Sequence, residues 1–279
     1  KTTFYPKGEL IYALLGDKTI KEENYKLAWK FTIWAIDPYY AKTVYVDASN
    51  GEILREVNSS KEGVFTHIFY GSQYLDTRWY GGLKNKYFLI ANDGTKNIKT
   101  KDDKFQNQKW NFKDLPDDQD DVWSTDHWAA TSAHYVIQTA WDMFSNLAGR
   151  NGLDNTGKEI RIMANDPDEP QSAEFRDYWS SSKYDYFIFA DGSYNSLLYY
   201  PATYDIGGHE FAHGITLYTS GLDYEGESGA LDESFSDICG FMTERFAQPS
   251  TWDWMIGEDF LNPQPRNMQL PSNQINTFA

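Results

Sequence analysis

The stretch from His209 to Asp237, HEFAHGITLYTSGLDYEGESGALDESFSD, constrains this chain more than any other. His209 and His213 are four residues apart with Glu210 beside the first, so on a helix both imidazoles leave one face and can grip a single metal ion. The Gly- and Ser-rich segment from Ser220 to Gly229 lets the chain break that helix and return in a second one. There Glu233 follows His213 with nineteen residues between, and Asp237 lies one helical turn further on. Leu231, Phe235, Ile238 and Met242 recur at helical spacing in the second helix and are expected to face the core.

Zinc takes N, O or S donors in a tetrahedral shell, and a catalytic zinc keeps one position for water. His209, His213 and Glu233 supply such a donor set. Glu210 follows a ligand directly, so it can stand beside the ion without binding it and accept a proton from water. Asp237 can accept a hydrogen bond from the non-ligating nitrogen of a ligand histidine, fixing its tautomer and raising its basicity. A bare HExxH also fits a helix with two surface histidines, a reading that Glu233 and Asp237 at workable spacing make much weaker.

Composition narrows the class of function. The balance of 41 acidic against 25 basic residues gives a formal charge of -16, which repels nucleic acid and anionic membranes and favours cations. No run approaches the ~18 consecutive apolar residues of a membrane span. No nucleic-acid or membrane partner is expected. The 279 residues suffice for a real core and about two domains at ~150 residues each. The one cysteine, Cys239, excludes an intrachain disulfide and, close to Ile238 and Phe241, reads as a small buried hydrophobe. The chain opens KTTFYP, with no basic or apolar leader, so any export signal is expected to have been removed or left out.

Along the chain, YKLAWKFTIWAI sets Leu27, Trp29, Phe31, Ile33 and Ala35 on one side of a strand, and TVYVDASNGEIL adds an Asn50-Gly51 turn, suggesting two antiparallel strands. The polar segment from Asn58 to Gly63 marks a boundary. Short strand-like runs such as VFTHIFY and KYFLIAND then alternate with turns, predicting a β-rich lobe from Val64 to Asp102. The acidic run from Asp114 to Asp121 could bind calcium but reads better as a solvated loop. Trp128 to Ala148 has helical spacing, with Ala133, Val136, Ile137, Ala140, Trp141 and Phe144 on one face. His134 in that helix reads as a packing histidine, and His67 and His127 stand alone.

Two resemblances add to this reading. The N-terminal segment ending VDASNGEIL resembles the last part of a PepSY-type proregion, or else is an ordinary β-layer of the same domain. The stretch HEFAHGITLYTSGLDYEGESGALDESFSDICG resembles the active-site signature of the thermolysin-like zinc metallopeptidases, with thinner likeness in ATSAHYVIQTAWDMFSNLAGR, FADGS and WMIGEDF. The resemblance implies an α+β, two-lobe enzyme. Residues 1–60 would be the end of the proregion, 61–225 the β-rich N-terminal lobe with its zinc helix, and 226–279 the start of a helical C-terminal lobe.

By position, the resemblance makes His209, His213 and Glu233 the zinc ligands, Glu210 the general base and Asp237 the partner of His209. It implies that Tyr224 donates to the oxyanion and that Arg266, in PRNM, clamps a substrate carbonyl. It also implies a structural calcium held by Asp205, Glu244, Asp253 and Glu258, with the Met255 carbonyl. Two departures stand out. The family's substrate-binding Asn-Ala pair on an edge strand has no clean counterpart in SAEFRDYW, Ser172 to Trp179, and the family's second oxyanion donor is a histidine, whereas none follows His213. The chain is therefore expected to be truncated in the C-terminal lobe.

The expected function is a secreted zinc endopeptidase acting on protein or peptide substrates, with its own proregion as an intramolecular partner. One alternative is a catalytically inert zinc-binding fragment or proregion-inhibited module. Another is a calcium-stabilised structural domain with a chance HExxH.

Overall fold

The architecture is taken from a computed structural model, which describes residues 7–14, 25–36, 39–58, 63–67, 69–80, 86–91, 96–102, 116–118, 122–124, 127–166, 173–177, 185–190, 202–259 and 265–270. The chain divides into two compact units, Lys1–Lys61 and Glu62–Ala279.

The first unit is an antiparallel meander of β1 (Glu9–Leu14), β2 (Tyr25–Ile36), β3 (Tyr39–Asp47) and β4 (Ile53–Asn58), in that spatial order. The Asn50-Gly51 turn joins β3 to β4. Gly51 has φ 78, its N–H donates to the Asp47 carbonyl, and Asp47 Oδ1 accepts from both the backbone and the hydroxyl of Ser49. The period-two pattern of β2 is present, but its large residues face solvent among the described residues: Leu27, Trp29 and Ile33 are each about two-fifths exposed, while Ala28 on the opposite face is buried.

The second unit carries the site. It comprises β5 (Gly63–His67), β6 (Gly71–Leu75), β7 (Arg78–Tyr80), β8 (Lys86–Phe88), β9 (Ile90–Ala91), β10 (Ile98–Asp102) and β11 (Asp117–Asp118). These are followed by α1 (Trp128–Ala148), β12 (Ile160–Asp166), β13 (Ala173–Arg176), β14 (Asp185–Ala190), α2 (Tyr204–Leu217), α3 (Gly226–Ala247), β15 (Met255–Ile256) and β16 (Arg266–Asn267). A five-stranded sheet runs β13-β14-β12-β10-β9; β10, β12 and β14 are parallel, and the outer strands β13 and β9 are antiparallel to their neighbours. The result is a mixed α+β fold, β-rich before α2 and helical after it.

Helix α1 ends in a left-handed Gly149 whose N–H caps the last turn. Its apolar face, Ala133, Val136, Ile137, Ala140, Trp141 and Phe144, is buried in one core with Ile160, Ile162 and Phe187 of the sheet and Phe211 of α2. Phe211 sits between Phe144, at 5.5 Å between ring centroids, and Phe187, at 5.9 Å and nearly coplanar. His134 is a packing residue, its ring nitrogens meeting the Thr100 hydroxyl at 2.7 Å and the Asp76 carbonyl at 3.0 Å. His67 is likewise buried, with Nε2 on the Ala202 carbonyl, and burial pulls its pKa down to about 3.

The expected burial of the apolar stripe on α3 is corrected. Leu231, Phe235, Ile238 and Met242 are exposed, with Leu231 at 59%. Apart from Phe241, the buried residues of α3 are small or polar: Gly229, Asp232, Ser236, Cys239, Gly240, Thr243 and Glu244. The reason lies in α2, whose His209 and His213 meet polar partners on α3 and whose backbone comes close to it. A Cβ at Gly240 would run into the Asp205 carbonyl oxygen, and one at Gly208 would run into the Thr243 hydroxyl and lie 3.0 Å from the Gly240 Cα. Of the acidic run at 114–121, Asp117 and Asp118 pair with β8, and 114–115 and 119–121 lie outside the described residues, as do 59–62 of the expected boundary.

Candidate metal centre and active site

Helix α2 begins after Thr203, in extended conformation, with Asp205 in its first turn, where a carboxylate complements the positive end of the helix. Its next turns present His209 and His213 to α3, which presents Glu233 back. The two Nε2 atoms are 3.1 Å apart; His209 Nε2 lies 3.3 Å from Glu233 Oε2 and His213 Nε2 lies 3.6 Å from Glu233 Oε1. Neighbouring donors in a tetrahedral shell with Zn–N near 2.0–2.1 Å stand roughly 3.4 Å apart, so the spacings of the two imidazole nitrogens and the Glu233 carboxylate fit such a shell. Two imidazole nitrogens and a carboxylate aimed at one point also suit a borderline-soft divalent cation chemically.

The far nitrogens of both histidines are held. His209 Nδ1 meets Asp237 Oδ1 at 2.9 Å, and His213 Nδ1 meets the Ser236 hydroxyl at 3.2 Å and Asp232 Oδ2 at 3.3 Å. Burial works against a charge on His209, but Asp237 and Glu233 outweigh it and lift its pKa to about 9. Burial, together with the neighbouring His209, lowers that of His213. Glu233 titrates at about 2: partial burial works against ionisation, and bonds from His209 and Tyr224 overcome it.

Glu210, about 100° around the helix from His209, reaches the edge strand β13, where the Phe175 N–H donates to its Oε2 at 2.8 Å. Burial pushes its carboxyl up to about 7, against the pull of His209 and of that N–H. Tyr224 is exposed, stands edge-on to His213 and donates its hydroxyl to Glu233. Its pKa is raised, by desolvation first and then by Glu233. Arg266 is engaged with Asp237, donating from Nε to Oδ2 at 3.0 Å and from Nη2 to Oδ1. In this structure its guanidinium therefore braces the residue behind His209.

A second acidic group lies beyond the first turn of α2. Glu244, Asp253 and Glu258 bring carboxylate oxygens within 4.8 Å of one another. Asp205 is buried beside them, with Oδ2 accepting from the Gly257 N–H, and its charge contributes to raising both Glu244 and Glu258 to about 8, after burial itself. Glu244 Oε2 and Glu258 Oε2 are buried without a hydrogen-bond partner, the condition a hard cation would relieve. Asp259 joins this group through Tyr70, whose hydroxyl donates to Asp259 Oδ2 at 2.6 Å and accepts from the Tyr204 N–H at 3.1 Å.

Three contributors were missed from sequence. Asp232 could have been found from its spacing, four residues before Ser236 on the same helical face. Asp259 lies inside the quoted WMIGEDF, next to Glu258, and is a carboxylate of the same kind with a shorter side chain. The Phe175 N–H is a main-chain group and leaves no residue signature.

The family model described as the thermolysin metallopeptidase catalytic domain matches residues 62–217, more than half of the chain, and that of the thermolysin metallopeptidase alpha-helical domain matches residues 220–278. The chain belongs to the thermolysin metallopeptidase family. Among relatives, bacillolysin from Bacillus caldolyticus is 28% identical over 263 residues, covering 87% of this chain and 46% of the relative. Thermolysin from Alicyclobacillus acidocaldarius is 28% identical over 262 residues, covering 86% and 45%. Bacillolysin from Bacillus subtilis strain 168 is 30% identical over 268 residues, covering 93% and 49%. The chain thus spans about half the length of these thermolysin-family relatives. The catalytic-domain match ends at Leu217, the last residue of α2, and the helical-domain match includes all of α3, so the cluster of His209, His213 and Glu233 is drawn from both matched regions.

Proposed function

We propose that the chain carries the metal centre and general base of a zinc endopeptidase that works outside the cell on protein or peptide substrates. The observation that carries this reading is the convergence of His209, His213 and Glu233 at zinc-like spacing with a buried carboxyl, Glu210, beside them and outside the donor set. Bound zinc would supply Lewis acidity to water and to the scissile carbonyl. Glu210, with a pKa near neutrality, takes a proton from the attacking water and returns it to the leaving amine nitrogen. The Tyr224 hydroxyl, kept protonated by its raised pKa, donates to the developing oxyanion. Asp237, braced by Arg266, and Asp232 hold the two imidazoles with their Nε2 atoms toward the metal.

The acidic group of Glu244, Asp253 and Glu258, with Asp205 behind it, would hold a structural calcium, a reading supported by its two buried carboxylate oxygens without partners. Residues 1–60, whose described part is a four-stranded antiparallel sheet, are assigned to the end of a PepSY-type proregion acting as an intramolecular partner. The deciding experiment is Glu210→Gln in the complete enzyme. Peptide hydrolysis should be lost while one zinc per chain is retained; full activity in that variant would end the proposal.

A further inference from the structure

The edge strand beside the base carries a charge pair that the chemistry above does not use. Strand β13 lies last in its sheet, and its Phe175 N–H points away from β14 toward Glu210. In an antiparallel ladder, main-chain groups alternate in direction, so those of Ala173 share the outward direction of Phe175, and Glu174 and Arg176 turn their main-chain groups toward β14. Side chains alternate as well. Phe175 packs on Phe187, with centroids 5.3 Å apart, and lies close to Gly214 of α2, so Ala173 and Phe175 lie on the α2 side. Glu174 and Arg176 occupy the other face, joined by a 2.6 Å salt bridge, with 45% and 35% of their side chains exposed.

An extended peptide that adds to this edge places residues opposite Ala173 and Phe175, bonding through both outward main-chain groups of Ala173 and the outward carbonyl of Phe175, whose N–H stays on Glu210. The residue between them faces Glu174 in a non-hydrogen-bonded pair, where Cα atoms approach to about 4.5 Å and side chains lie closest. Its side chain emerges on the Glu174 face. The existing bond to Arg176 is partly exposed and so contributes little, which leaves Glu174 able to exchange partners.

We propose that Glu174 is a specificity-determining residue, selecting a lysine or arginine in the substrate residue paired opposite it, with Arg176 as its resting partner. This rests on the endopeptidase reading and deepens it. The chain's overall charge of -16 attracts cationic peptides generally, but that attraction acts at every subsite and is screened by salt, whereas pairing with Glu174 acts at one subsite.

The test is a set of quenched fluorescent peptides in which each position around the scissile bond is varied in turn through Lys, Gln and Glu, assayed with the zinc-loaded complete enzyme at two salt concentrations. One subsite should favour Lys over Glu by about 3- to 10-fold in kcat/KM. Glu174→Gln should bring that ratio toward one at that subsite alone, Glu174→Lys should invert it, and Arg176→Gln should preserve or increase it. A ratio near one at every subsite, or a preference that survives Glu174→Gln, overturns the assignment while leaving the endopeptidase reading intact. Failure to cleave any peptide overturns both.

Discussion

The Phe175 N–H donates to Glu210 Oε2 at 2.8 Å, tying the edge of the sheet to the buried carboxyl of α2. The donor is main chain, so exchanging the phenyl ring leaves it in place. It favours the ionised carboxylate against burial. Phe175→Pro removes the N–H and should raise the Glu210 pKa further, moving the acid limb of the pH–rate profile up by about one pH unit, as expected for loss of a bond to a charged group. Phe175→Leu, which keeps the N–H, is the control and should leave that limb in place.

Asp237→Ala and Asp232→Ala should each weaken zinc binding by about 10- to 100-fold, measured by competition with a chromophoric chelator. The Asp237 variant should lose more, because Arg266 donates to both oxygens of that carboxylate and would be left beside His209 without them. Equal losses would show that Arg266 contributes nothing to holding the ring.

The acidic group near Glu244 predicts a pH-dependent stability in chelator. Glu244 and Glu258, raised to about 8 by burial first and then by neighbouring carboxylates, Glu258 and Asp205 for Glu244 and Asp205 for Glu258, bind protons more tightly folded than unfolded. Their contribution is present in full below the ordinary carboxyl pKa near 4.5 and is lost as pH rises to about 8. The melting temperature in chelator should therefore fall between pH 5 and 8. Adding calcium after zinc is restored should stabilise the protein more at pH 8 than at pH 5. A melt that calcium leaves unchanged at pH 8 would sink the calcium assignment.

Gly240→Ala should be severely destabilising, because its Cβ meets the main chain of α2 at the Asp205 carbonyl, which cannot swing aside as a side chain could. A cost of about 3 kcal/mol or more is expected, lowering Tm by roughly 2–4 °C per kcal/mol. Differential scanning calorimetry reads this directly. Ala at Ile238, on the exposed stripe, should cost far less.

The legible part of this protein lies where function imposes a local period. His209 and His213 share a face because they are four apart, and the span of α1 follows from its apolar residues. Beyond that, periodicity tells which residues share a face, not which neighbour the face meets. On α3 the apolar stripe was assigned inward, yet α2 is met by Asp232, Ser236 and Gly240, chosen for hydrogen bonding and close approach. Strand β13 is similar: Ala173, Glu174, Phe175 and Arg176 alternate apolar and charged, but over four residues that alternation names no neighbour, and the place beside Glu210 comes only from the sheet order and the Phe175 N–H. The acidic group follows from the resemblance alone. Its electrostatic tension arises only when the start of α2, the end of α3 and the segment after α3 bury these carboxylates together.

Phe211 lies within the HEFAH stretch itself, between the two ligand histidines, yet points into the aromatic stack of Phe144, Phe187 and Trp141. A cylinder gripped along one side can roll, and rolling α2 by even a fraction of a turn would swing both imidazoles off their common target. The wedge of rings resists that torque from the opposite side. The orientation of the metal-binding face is thus indexed to the sheet, and mutations that loosen this distant aromatic stack should blur the aim of His209 and His213 without touching either.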